Sequence, residues 1–175
     1  MEATTLKLQS LNYSNLKTYF IAVLFVTGNI LFPQLCHLIP NGGFILLPIY
    51  FFTLVGAYKY GWKAGLLIAI LSPVVNSLLF NMPAPAVLPA IMMKSALLAF
   101  AAAFAANYFK RISVLILVLV VLSYQIIGTL GEWILINDFN LAIQDFRMAI
   151  PGMLLQVFGG YIVIKLMSQK LHDQL

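Results

Sequence analysis

Charge is scarce in this chain: five acidic side chains and ten Lys or Arg are spread over 175 residues. A soluble domain of this size normally devotes about a quarter of its residues to charge, so an ordinary water-exposed surface is excluded. One cysteine excludes an internal disulfide, and its position says little about redox compartment. Two histidines and a few scattered acids leave no spacing that would hold a catalytic metal or phosphate. A Gly-rich phosphate loop ending in Lys and Ser or Thr is absent, so ATP hydrolysis by that route is excluded. Low-complexity linkers and internal repeats are missing as well, and a single membrane domain over residues 1–175 is expected.

What the chain has instead is apolar length. Hydrophobic residues make up 62% of it, and the mean hydropathy is +0.98. A helix needs about 20 apolar residues to cross a hydrocarbon core. Six stretches meet or approach that length: 18–35, 44–58, 62–80, 87–107, 112–131 and 148–167. The second is short and contains Pro48, which points to a kink or to an extension into Gly42 and Gly43. These runs lack the alternation of a membrane barrel, so the expected fold is all-α, an integral membrane bundle of six transmembrane helices.

The cations orient the bundle. Lys7 and Lys17 precede span one, Lys59 and Lys63 join spans two and three, Lys110 and Arg111 join four and five, and Lys165 and Lys170 end span six. All eight fall on one side, whereas the other side holds Arg147 with Glu132, Asp138 and Asp145. Positive charge is retained in short cytoplasmic loops, so both termini are expected in the cytoplasm. The basic loops account for the net charge of +5 and attract anionic lipid, so no nucleic-acid partner is expected. Bulky residues after Phe20–Phe32 give no cleavage pattern, and span one reads as retained.

Inside the spans a few polar side chains remain. At about 1.5 Å per residue, Asn29, Asn76 and Gln125 stand roughly 18, 21 and 20 Å above the cytoplasmic start of their spans, with Lys94 and Gln156 about 11 and 12 Å below the outer boundary. All five therefore reach one layer in the outer half. Gln125, Thr129 and Glu132 share a helix face, with Gly128 and Gly131 leaving room beside them. Lys94, costly at such depth, is expected to meet Glu132, Asp145 or an anionic ligand. The outer segment from Cys36 to Gly43 adds His37 and Asn41 to the candidate contacts; Cys36 and His37 are weak candidates for a metal or a corrinoid cobalt. Helix-to-helix hydrogen bonding explains Asn29, Asn76, Gln125 and Gln156 as readily as ligand contact. Phe44 or Tyr50 offers a stacking surface for a planar ligand, and Trp62 and Trp133 read as interfacial anchors.

The run from Pro33 through Gly43, followed by Leu47-Pro48-Ile49-Tyr50, Gly56, Gly61, Gly65 and Ser72-Pro73, resembles the first half of the substrate-binding S subunit of an energy-coupling factor (ECF) type vitamin transporter. The resemblance covers residues 18–107 and implies a six-helix bacterial plasma (inner) membrane protein that binds a vitamin or related micronutrient near the outer face. It also implies a coupling membrane subunit carrying two ATPase subunits as partners, and no cofactor or enzymatic activity of the chain's own. Family members dock through small residues on helix one, often Ala-x-x-x-Ala; here Ala22 is followed by Val26, with Gly28 nearby. Two other classes stand beside this one: a structural membrane scaffold of an envelope-building complex, and a membrane enzyme acting on lipid. The polar layer is unneeded by the first, and the second lacks its acid or histidine cluster.

Overall fold

The computed structural model describes residues 4–5, 10–36, 38, 40 and 42–169, without the side chains of Thr4, Thr5, Phe44, Asp145 and Gln169. In chain order the elements are β1 (Thr4–Thr5), α1 (Leu16–Cys36), α2 (Gly42–Leu46), α3 (Pro48–Tyr60), α4 (Trp62–Phe80), α5 (Leu88–Phe109), β2 (Arg111–Ile112), α6 (Val114–Ile136), α7 (Phe139–Met148) and α8 (Ile150–Gln169). The fold is all-α apart from β1 and β2, which pair antiparallel with Thr4 opposite Ile112 and Thr5 opposite Arg111.

Five helices, α1, α4, α5, α6 and α8, are long and apolar enough to cross a membrane. Their outward faces carry large apolar side chains, such as Phe20 and Leu31 on α1, Phe104 on α5, and Leu154, Phe158 and Ile162 on α8. Asn, Gln, Lys and Ser side chains are enclosed within. This inverts the distribution of a water-soluble protein and is the arrangement of a multi-pass membrane protein.

The expected second span, 44–58, divides into α2 and α3. Leu47 adopts a left-handed conformation (φ 47°) between them, and Pro48 opens α3, where its missing N–H costs nothing. At 13 residues α3 is short, yet it is the centre of the bundle, packed against α1, α4, α5 and α8. Leu54, Val55, Ala57 and Tyr58 are wholly buried. Small residues make this possible: a Cβ on Gly65 of α4 would lie 2.5 Å from that of Ala57, so the two backbones meet directly. At its other end, Gly152 of α8 lies against the α2 backbone, where a Cβ would fall 2.6 Å from the carbonyl carbon of Leu46.

The remaining boundaries shift by local chemistry. Ser113 accepts from the Leu115 N–H (3.2 Å) and starts α6 after the β1–β2 pairing, later than the expected 112. Past the expected end at 131, the apolar residues Trp133–Ile136 continue the helix to Asn137, which closes it in the left-handed conformation. Glu132 therefore sits in a helix and not in an outer loop. Asp138 caps α7 by accepting from the N–H groups of Asn140 and Leu141 (2.9 and 3.1 Å), so the expected loop holds a short amphipathic helix with Ala142 buried.

One end of the bundle is stitched together by polar contacts. Leu11 N–H donates to the Tyr60 carbonyl (3.1 Å), Tyr58 hydroxyl to that of Arg111 (2.8 Å), and Lys59 Nζ to Ser168 Oγ (3.0 Å). Lys59, expected in a connecting loop, belongs to the last turn of α3 and is fully buried. Lys17, Lys59, Lys63, Lys110 and Arg111 thus gather at one end, whereas Lys7 and Lys170 lie outside the described residues.

Candidate functional site

The single polar layer expected from depth divides into two clusters. In the first, Pro33 cannot donate to the carbonyl of Asn29, four residues earlier in α1. Asn76 of α4 supplies the missing donor: its Nδ2 reaches Asn29 O at 3.0 Å and Ser72 O at 2.9 Å. The Asn29 amide in turn donates to Thr53 Oγ1 and Ser72 Oγ, both at 3.0 Å, and accepts from Phe52 N–H at 3.1 Å. Asn29 and Asn76 are thereby engaged in joining α1, α3 and α4 around a proline break.

The second group lies on α5, α6 and α8, with α6 packed against each of the other two. Lys94 of α5 forms a buried ion pair with Glu132 of α6. Gly128 makes the approach possible, because a Cβ there would stand 2.6 Å from Lys94 Cγ. The lysine stem crosses α6 over that bare backbone and delivers Nζ to the carboxylate one turn further on. Gln125 and Thr129 share the face of Glu132, as their spacing requires, and all three are buried. Gln156 of α8 is wholly enclosed and accepts through Oε1 from the Tyr124 hydroxyl (3.0 Å). The Tyr124 ring lies 5.7 Å from that of Tyr50 on α3, tilted by 54°.

Several polar atoms here are left over. Among the described residues, Ser95 Oγ, both Nε2 and Oε1 of Gln125, Thr129 Oγ1 and Gln156 Nε2 are buried without a hydrogen-bond partner. Such a group costs about 1–3 kcal/mol when nothing meets it, and five such atoms occur on α5, α6 and α8. The set contains both donors and acceptors. Ser95 and Tyr124 escaped the sequence reading; the available signals were hydroxyls inside otherwise apolar runs, each next to a residue already singled out.

His37 and Asn41 lie outside the described residues, as does the side chain of Asp145. Cys36 is buried at the end of α1, and no group of three or more His, Cys, Asp or Glu able to hold a metal occurs among the described residues. Trp62 stacks on Phe100 and Trp133 meets Phe139 edge-on; both tryptophans remain partly exposed. A groove of about 540 Å³ lined by Leu16, Lys17, Tyr19, Phe20 and Val23 runs along the outside of α1, on the apolar outer surface and at the other end of the bundle from Lys94. No family model, characterised protein or solved structure matches this chain.

Proposed function

We propose that the chain is the high-affinity substrate-binding membrane subunit of an ECF-type uptake system for a vitamin or related micronutrient. It binds its substrate between α5, α6 and α8, and ATP hydrolysis comes from partner subunits. The observation that carries this reading is the set of buried, unpartnered hydrogen-bonding atoms on α5, α6 and α8, the helices that also hold the buried Lys94–Glu132 pair. A scaffold gains nothing from such a group, and polar residues enclosed in a membrane bundle ordinarily mark a substrate path.

In this reading the bundle crosses a bacterial inner membrane six times, with α2 and α3 together forming the second crossing. Residues 42–60 span about 28 Å at helical rise, enough for the hydrocarbon core. The interruption at Leu47 is buried in protein, the setting in which a broken helix survives at membrane depth. The end carrying Lys59, Lys63, Lys110 and Arg111 faces the cytoplasm under the positive-inside rule. The Lys94 cluster then belongs to the outer half.

The test is a thermal-shift screen of the purified protein in detergent against water-soluble vitamins and their precursors. A ligand at 100 times its Kd adds about 2.7 kcal/mol, roughly 5–10 °C for a chain of this size. One selective stabiliser supports a binding subunit and identifies the substrate. A folded protein that responds to none points to the scaffold. Orientation is checked separately with impermeant thiol reagents on Cys36→Ala backgrounds carrying Lys110→Cys or Asn140→Cys, which should label from opposite sides.

A further inference from the structure

We propose that α7 is an interfacial helix, lying along the lipid leaflet at the Lys94 end of the bundle, with Arg147 on a phospholipid headgroup phosphate. The inference rests on the chain being a membrane bundle and stands whether or not it binds a substrate. In the orientation proposed above, this is the outer leaflet.

The helix is 10 residues long, about 15 Å, half of what a crossing needs. It packs on α6 and also touches α2 and α8. Its side chains fall on three faces. Ala142 is wholly buried and Phe146, one turn on, packs against the core, so this face belongs to the protein. Asn140, Gln144 and Arg147, spaced i, i+4, i+7, share a second face and are all exposed. Leu141 and Met148, spaced i, i+7, occupy a third, about 90° round the helix from the polar one, and are 53% and 37% exposed. A helix wholly in water gains nothing from an exposed apolar stripe, and one enclosed in hydrocarbon gains nothing from a polar one. At the membrane boundary both solvents are met at once.

What covers Leu141 and Met148 follows from the surface they continue. Before α7, the last two turns of α6 expose Leu130, Trp133 and Ile134, and the Trp133 ring meets that of Phe139 at 5.3 Å between centroids. After it, Ile150, Leu154, Phe158 and Ile162 form an exposed stripe down α8, one at every fourth residue. Both belong to the outward apolar surface of helices long enough to span a membrane. Since α7 joins them, the hydrocarbon that covers α6 and α8 reaches Leu141 and Met148, and Trp133 stands where interfacial tryptophans gather. The polar face then meets headgroups, whose phosphate is the acceptor that a guanidinium binds in bidentate fashion.

The experiment uses the full chain in vesicles of phosphatidylcholine and phosphatidylglycerol, on a Cys36→Ala background with a nitroxide attached at Leu141→Cys, Met148→Cys, Asn140→Cys or Gln144→Cys. Collision with oxygen, which concentrates in hydrocarbon, is compared with collision with a water-soluble nickel complex, and Phe158→Cys is the lipid-facing reference. Labels replacing Leu141 and Met148 should favour oxygen and read about 5–10 Å below the phosphate level, whereas those replacing Asn140 and Gln144 should favour nickel. Adding Arg147→Glu should lower the oxygen-to-nickel ratio of the first two labels at least about twofold, because a carboxylate repels the phosphate. An unchanged ratio overturns the phosphate contact. Nickel preference at all four positions overturns the interfacial seat and puts α7 in water. Poor collision with both reagents at Leu141 and Met148 overturns it in favour of a covering protein or a second copy. Two labels on each face keep the result readable if one variant misfolds. A Phe158 reference that favours nickel removes the membrane-bundle reading itself.

Discussion

Replacing Lys94 by Met retains most of the buried stem and deletes the ammonium, leaving the Glu132 carboxylate in its enclosed position without Lys94. Breaking one side of a buried pair costs about 3–5 kcal/mol, because the remaining charge has lost water and gained no substitute. Against a net stability of about 5–15 kcal/mol, this is a large fraction of what holds the bundle together. At roughly 2–4 °C per kcal/mol, the transition should fall by about 6–20 °C. Glu132→Leu should cost a similar amount. The double variant Lys94→Met/Glu132→Leu removes both charges and fills the space with apolar atoms, and should return to within about 1–2 kcal/mol of the native protein. Cys36 provides the assay: it is the lone cysteine and is buried, so a thiol-reactive dye reports unfolding without an introduced label. Two results would refute the reasoning. One is a double variant that costs the sum of the two singles; the other is a Lys94→Met cost below about 1 kcal/mol.

Gln125→Leu should stabilise the ligand-free protein by about 1–3 kcal/mol, since it removes two buried polar atoms that have no partner; a lower transition temperature would show that the carboxamide is satisfied without a ligand. Asn29→Leu should destabilise by about 2–4 kcal/mol through the loss of three hydrogen bonds, while ligand affinity measured well below the transition is unchanged. Gly128→Ala should cost about 1–3 kcal/mol in the native chain and less than about 1 kcal/mol when Lys94 is Ala, because the lysine stem is what the new methyl meets; equal costs in both backgrounds would place the clash elsewhere. Gly61→Ala should lose about 1–3 kcal/mol by thermal unfolding, since Gly61 joins α3 to α4 at φ 88° and ψ 175°, a region nearly closed to residues with a Cβ.

The helices were legible because their signal is long and local. Trp62–Phe80 appears as expected, and α1, α5 and α8 differ from expectation only at their ends. The helix-face spacing of Gln125, Thr129 and Glu132 also survived folding, since it depends on helical period alone. Shorter signals were harder to place. Lys59 looked like a loop cation, and only the packing of α3 shows it to be enclosed. The residues of α7 were obscured by an abundance of polar side chains and a length too small for a span, whereas the capping Asp138 and buried Ala142 define the helix in three dimensions.

Depth, too, is a one-dimensional quantity, which is why Asn29, Asn76, Lys94, Gln125 and Gln156 first resembled a single layer. Residues at one height can face different neighbours around the bundle. The amino-acid sequence by itself determined that the chain is an apolar helical bundle, which polar residues lie deep within its helices, and which helix face joins Gln125 to Glu132, because hydropathy and helical period are properties of successive residues. The tertiary structure alone decided that Asn76 repairs the break made by Pro33, that Glu132 meets Lys94, and which buried polar atoms on α5, α6 and α8 are left unpartnered. Those outcomes depend on how helices rotate and approach one another, and close approach at Gly65, Gly128 and Gly152 sets that geometry through contacts between residues far apart in the chain.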